Sequence, residues 1–300
     1  MKLPSSPLIV YSFIYLILFL LSTILHFVLL SLISSPLLRI YIIDFTVTCL
    51  LFFIGNFIFL SNNIYDLHWP LIPLISSIYF HLTLNSIEFL SFKCLPLFLL
   101  IFLWSSHLIW QTISSSDNIK HEDWRYQMMR KQYGNNFLIF AFFALHLLPM
   151  FEVLLGSSSI YYIYTYNNIH KNLTIGDILL LLIILLGVLL ENYADKQLAE
   201  FRCHRKKSRE HKFSVLSTGL WKYTRHPNYL GEIIFWWGLF FLGYSHNAPL
   251  WCALGPLLIT LMMYFGSIPM SEERLYRKYP EYKFVQRRVS ILIPTFGLLG

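Results

Sequence analysis

The sequence predicts an all-α polytopic membrane protein, a bundle of about eight transmembrane helices (seven to eight) with both termini cytosolic. Three observations carry this. Of the 300 residues, 56% are hydrophobic and only 13% are charged, a balance foreign to soluble domains of this length. Apolar runs lie near 8–33, 41–60, 70–90, 95–115, 136–155, 174–194, 228–245 and 249–270, most of them close to the roughly 20 residues that cross a hydrocarbon core. The runs do not alternate polar with apolar residues, so helices, which satisfy backbone hydrogen bonds within one segment, are favoured over barrel strands.

The first run lacks a small-residue cleavage site and reads as a retained span. His81, Glu88 and His107 interrupt the third and fourth runs, the weakest of the eight. With a cytosolic N-terminus, Lys2, the 116–135 and 195–227 loops and the tail after 270 share one face. Only Arg39, Lys93 and Lys171 fall on the other, which leaves 20 of the 23 Lys and Arg residues on the crowded side. The positive-inside rule makes that side cytosolic. The net charge of +7 is therefore mostly topology. It is not the basic patch of a soluble nucleic-acid-binding domain, and it suits anionic lipid headgroups or an anionic cofactor. The expected organisation is a 1–62 region of N-terminal helices and a 63–294 membrane domain with its cofactor site in 190–294.

Cys49, Cys94, Cys203 and Cys252 form no C-x-x-C pair, so neither a disulfide framework nor a metal site is expected. Asn172-Leu173-Thr174 is a glycosylation sequon on the non-cytosolic side, close to a span. No Rossmann glycine fingerprint, Walker loop, H-E-x-x-H or G-x-S-x-G occurs. Any nucleotide must then bind among helices.

Four polar segments fall on the cytosolic face. In Asn63–Pro70, Pro70 is placed to open the third span, and Tyr65 and Trp69 suit interfacial anchoring. His121–Lys131 reads as an interfacial helix, acidic residues first, with Glu122 and Tyr126 one turn apart. At the exit of the sixth span, Glu191 and Asp195 share a helical face and Arg202 lies near it. Carboxylates there can bind ribose hydroxyls and the arginine can pair with phosphate. His204 and His211 in the following basic loop have no metal-ligand spacing.

The densest segment is GLWKYTRHPNYLGE, Gly219–Glu232. Pro227 can take the first helical position, so the free N–H groups and positive end of the helix dipole face whatever docks there. Arg225 and His226 lie just outside, Asn228 and Tyr229 at the rim, and Glu232 one turn inside the span, where an acid requires a partner or a purpose. The Ser271–Pro294 tail is basic, amphipathic and tyrosine-rich, and it can cover the same face.

These segments resemble the steroid 5-alpha-reductase superfamily, in particular its poorly characterised membrane branch. The carrying residues are YDLHWP at 65–70, EDWRY with Arg130, ADKQLAEFR at 194–202, GLWKYTRHPNYLGE at 219–232 and KYPEYKFVQRRVSILIP at 278–294. The resemblance implies an NADPH-dependent oxidoreductase of the endoplasmic reticulum membrane. Such an enzyme reduces a carbon–carbon double bond in a steroid or other hydrophobic lipid. It implies that Asp195 and Arg202 contact the nucleotide, and that Tyr223, Arg225, His226, Asn228 and Tyr229 line the phosphate and nicotinamide region. Glu232, with Tyr229 as the other candidate acid, would stand near the reacting carbon. The steroid reductases also hold the substrate carbonyl with an N-terminal Glu and Tyr. Glu88 and Tyr79 fill that role poorly here, because Glu88 falls at the far end of its span.

Membrane methyltransferases of the isoprenylcysteine or phospholipid type share a similar R-H-P-x-Y-x-G motif and use it for S-adenosylmethionine. Asn228, Glu232 and ADKQLAEFR favour the reductase reading. A non-catalytic lipid-binding protein that keeps the fold is the third reading. Membrane lipids and a hydrophobic substrate are the expected partners, with no nucleic acid.

Overall fold

A computed structural model of the chain describes residues 7–84, 94–115, 122–167, 173–207 and 215–294. Its elements are helical, and among the described residues the one β-type pairing is an isolated parallel bridge between Thr224 and Ser290. The eight apolar runs all carry helix. Among the described residues six helical segments are long and apolar enough to cross a membrane: Ile9–Leu32, Pro36–Phe59, Cys94–Ser114, Trp124–Tyr166, Ile175–Arg205 and Leu250–Lys278. The run expected at 70–90 is helical over Leu71–Thr83, about 20 Å at 1.5 Å per residue. Glu88, Lys93, His121, Asn172 and His211 lie outside the described residues.

The chain forms two compact units. One comprises Met1–Leu173 with Gly243–Gly255. Its first helix, α1 (Pro7–Leu32), has no acidic residue in its first turn and no basic one in its last. Phe19, Ile24 and Phe27 stand more than 60% exposed, as a helix face meant for lipid would. α2 (Pro36–Phe53) starts where Ser35 accepts from Leu38 N–H and Pro36 takes the first position, a combination that stops a helix extending backwards. It runs on through a π-helical turn, Ile54–Phe59, to Leu60 at φ +56°. α3 (Leu71–Thr83) follows immediately after Pro70, so the proline precedes the helix instead of opening it. α4 is Cys94–Ser115 and α5 is Trp124–Tyr133. Asp123 caps α5 by accepting from Arg125 N–H at 2.9 Å. α6 (Phe137–Phe140), a π-helical stretch over Ala141–Leu147, and α7 (Leu148–Asn167) form one continuous apolar rod. α2 packs on α1, α3 and α7, and α3 packs on α7.

The other unit comprises Thr174–Leu242 with Pro256–Gly300. α8 (Ile175–Lys207) is 33 residues long, well past the end of its apolar run at 194, because ADKQLAEFRCHRKK holds strong helix formers and no breaker. One rigid rod therefore carries Glu191, Asp195 and Arg202. α9 (Pro227–Ser245) opens at the expected proline. α10 (Leu254–Met262) leads through a π-helical turn to α11 (Ile268–Lys278), and α12 (Tyr282–Arg288) follows. α8 and α9 touch through glycine. A methyl group placed on Gly231 would meet Glu191 N at 2.6 Å and Gly187 O at 2.7 Å.

Candidate functional site

The Gly219–Glu232 segment is held on two sides before α9 begins. Gly219 takes φ +63°, a conformation that favours glycine, and starts a 3-10 turn over Gly219–Lys222. The Gln197 amide of α8 accepts from Leu220 N–H at 3.1 Å. The Trp221 indole donates to Ala194 O at 3.1 Å. On the far side, Thr224 Oγ1 donates to Ile291 O at 2.8 Å and Arg225 N–H donates to Ser290 O at 2.9 Å. The tail thus folds against the motif as a short paired strand segment. Lys222 and Tyr223 stay at the surface.

Arg225 and His226 were expected to project outward as phosphate donors. They are only 8% and 5% exposed, and both turn to Glu272 on α11. His226 Nε2 stands 3.0 Å from Glu272 Oε1. Arg225 Nε is also 3.0 Å from that oxygen, close enough for an ion pair but without hydrogen-bond alignment. The Tyr282 hydroxyl donates to Oε1 at 3.3 Å, and the Gln286 amide donates to Oε2 at 2.9 Å. Four side chains from two segments therefore share one carboxylate, an arrangement that fixes the Arg225–His226 pair in place. The His226 ring stacks on Tyr229, centroids 5.4 Å apart and planes 6° from parallel. Sequence reasoning missed Glu272. An acid among basic tail residues was the available signal, because a cation that buries itself needs such a partner.

Asp195 and Asn228, 33 residues apart in sequence, meet directly: Asn228 Nδ2 donates to Asp195 Oδ1 at 3.1 Å. Arg202 also lies near Asp195. This exposed guanidinium lies within electrostatic reach of Asp195, Tyr229, Arg205 and Arg274. The Arg205 guanidinium also sits over the Tyr279 ring at 5.3 Å. Glu191 and Glu232 are 4% and 3% exposed. Glu232 takes a donated bond from Trp236 Nε1 at 2.8 Å, one turn further along α9. Arg225, seven residues before Glu232, is engaged by Glu272.

The two earlier motifs also converge. Glu122 precedes α5 and turns inward, where Arg130 donates to both its oxygens at 3.1 and 2.9 Å. Glu122 Oε1 accepts from Asn62 N and Nδ2 at 3.3 and 2.8 Å. The Tyr126 hydroxyl donates to Asp66, and Asp123 N–H donates to Asn63 Oδ1 at 2.9 Å. The expected amphipathic interfacial helix is thus a clamp on the 62–66 loop. His68 Nε2 lies 2.8 Å from Asp44 Oδ1, an acid the sequence reading did not single out.

The comparisons with known proteins agree with this extent. A fission-yeast relative, Uncharacterized protein C594.04c of Schizosaccharomyces pombe (strain 972 / ATCC 24843), is 25% identical over 247 residues, covering 76% of this chain and 71% of the relative. No solved structure matches. The family described as Protein of unknown function (DUF1295) matches residues 51–289, a stretch that reaches from within the second apolar run into the tail, and the chain belongs to that family.

Proposed function

We propose that the chain is a membrane-bound, NADPH-dependent reductase of a carbon–carbon double bond in a hydrophobic lipid. We place it in the endoplasmic reticulum membrane with the nucleotide entering from the cytosol, on the plan of the steroid 5-alpha-reductase superfamily. The observation that carries this reading is Arg202, which stands within electrostatic reach of Arg205, Arg274, Asp195 and Tyr229. Like charges repel unless an anion lies among them, and guanidinium clusters suit phosphate oxygens. A dinucleotide phosphate supplies several negative charges. S-adenosylmethionine is a sulfonium cation, so the same cluster disfavours it and ranks the methyltransferase reading second.

The residues present fit the group. Arg202, with Lys222 at the surface, would hold phosphate. Asp195, oriented by Asn228, would accept from ribose hydroxyls. Tyr223 and Tyr229 offer aromatic faces, and the Arg225–His226 pair, fixed by Glu272, positions Tyr229 through the stacked imidazole. NADPH supplies hydride when bound. Glu232, buried and held by Trp236, is the acid that would supply the proton, and the apolar helices would exclude water and hold the lipid.

The test is ligand protection in detergent or nanodiscs. NADPH is expected to raise the melting temperature while S-adenosylmethionine leaves it unchanged, and Arg202→Ala is expected to abolish the NADPH effect. Protection by S-adenosylmethionine alone would transfer the site to the methyltransferase class. Protection by neither would end both readings.

A further inference from the structure

The first unit buries a second polar cluster that the nucleotide reading does not use. α2 supplies Asp44 and Thr48, the loop after it supplies Tyr65 and His68, and the π-helical stretch before α7 supplies His146. Their exposures are 7%, 0%, 2%, 3% and 0% in that order. Asp44 Oδ1 and His68 satisfy one another. Asp44 Oδ2, Thr48 Oγ1, Tyr65 OH and His146 Nε2 have no hydrogen-bond partner. Buried polar atoms almost always find one, because an orphaned group has lost its water and gained nothing.

The orphans are neighbours. The Tyr65 and His146 ring centroids are 4.8 Å apart, and those of Tyr65 and His68 are 5.8 Å apart. The Tyr65 hydroxyl approaches Thr48 without reaching an aligned hydrogen bond. The valence of the site follows from His146. Its Nδ1 is 3.0 Å from Ala141 O, and a carbonyl only accepts, so Nδ1 carries the proton and Nε2 is a bare lone pair. The cluster therefore presents acceptors at His146 Nε2 and Asp44 Oδ2 beside hydroxyl donors on Tyr65 and Thr48. A ketone or an ether only accepts and would leave His146 unmatched. A hydroxyl both donates and accepts. The Phe52 ring stands edge-on to His146 at 5.2 Å and makes the surroundings apolar there, so the body that carries the hydroxyl must be apolar too.

We propose that Thr48, Tyr65 and His146, backed by the Asp44–His68 pair, form a binding site for the hydroxyl group of a membrane-soluble alcohol. The ligand hydroxyl donates to His146 Nε2 and accepts from Tyr65 or Thr48. The site needs neither a cofactor nor reduction chemistry, so it stands or falls separately from the proposed function.

The test uses the full chain in lipid nanodiscs with a long-chain fatty alcohol bearing a diazirine, beside its methyl ether, and maps cross-links by mass spectrometry. The alcohol is expected to label peptides containing residues 44–68 or 141–150 at least tenfold more strongly than the ether. Thr48→Val, which keeps the volume and removes the hydroxyl, is expected to cut that preference to near unity without lowering the melting temperature. Tyr65→Phe is expected to do the same, and if it does not fold, Thr48→Val decides alone. Equal labelling by alcohol and ether overturns the proposal, as does absence of labelling or a preference that survives Thr48→Val; each of these outcomes assigns the cluster to a buried water only.

Discussion

Asn228, the second residue of α9, donates its side-chain N–H to the carboxylate of Asp195 on α8 across 3.1 Å. Two motifs 33 residues apart in sequence thereby share one polar site at the mouth of the second unit. The amide sets the direction of the carboxylate. If this pair receives the nucleotide, Asp195→Ala and Asn228→Ala should each weaken NADPH binding about tenfold, roughly 1.4 kcal/mol. The double variant should lose less than the sum, because contacting residues couple by roughly 0.5–3 kcal/mol. Titration of the four proteins in one detergent checks both statements, and strict additivity would separate the residues functionally.

Glu272 is the hub of the same region. Removing it leaves the buried Arg225 guanidinium without an acid and strips acceptors from His226, Tyr282 and Gln286. Breaking a buried ion pair from one side costs about 3–5 kcal/mol. Glu272→Ala should therefore lower the melting temperature by several degrees. Glu272→Gln, which keeps an acceptor oxygen, should fall between the two. A Glu272→Ala variant that melts with the wild type would mean that charge and hydrogen bonding at Glu272 contribute nothing.

The close approach of α8 and α9 depends on Gly231, where a Cβ would stand 2.6 Å from backbone nitrogen of Glu191 and 2.7 Å from backbone oxygen of Gly187. Neither atom can rotate away, so Gly231→Ala must push the helices apart. Overpacking of this kind costs roughly 1–3 kcal/mol. The displacement also lengthens the Asn228–Asp195 contact. Gly231→Ala should lower both thermal stability and NADPH affinity, whereas Gly266→Ala, at a glycine whose added Cβ meets nothing within 4 Å, should change neither.

Much of this was legible in the sequence, and the parts that were not share a cause. Helix positions followed from apolar runs and prolines, and Pro227 opens α9 as its type predicts. The extra length of α8 was hidden because the apolar run ends at 194 while helix propensity continues through a charged stretch. The Glu191–Asp195 face and the proline start of α9 were readable because i, i+4 spacing and a helix opening are local properties, whereas only the family resemblance set Asp195 beside the Gly219–Glu232 segment. The direction of Arg225 and His226 was not, because their partner Glu272 is 46 residues beyond His226 and sits in a tail whose basic excess masks its acids. Asp44 was missed for a related reason. An acid within an apolar run has no local partner, and His68 reaches it only after the loop folds back.

The 62–66 loop offers a pH test of the first unit. Burial pushes the Asp66 carboxyl from its ordinary value of 3.8 up to about 6, against the lowering effects of nearby Arg125 and the Tyr126 hydroxyl, with Asp123 raising it further. A carboxyl with a raised pKa in the folded state binds its proton more tightly there than in the unfolded chain. Its contribution to stability is therefore fully present below pH 3.8 and is lost as pH rises through about 6, the reverse of a salt-bridged acid. Asp66→Asn keeps an oxygen to accept from Tyr126 and removes the titration. The variant should melt above the wild type at pH 7.5, and the gap should close progressively toward pH 4. Other acids titrate alike in both proteins, so the difference between the two melting curves isolates Asp66, and a gap that stays constant from pH 4 to 7.5 would show that its carboxyl titrates as it does in the unfolded chain.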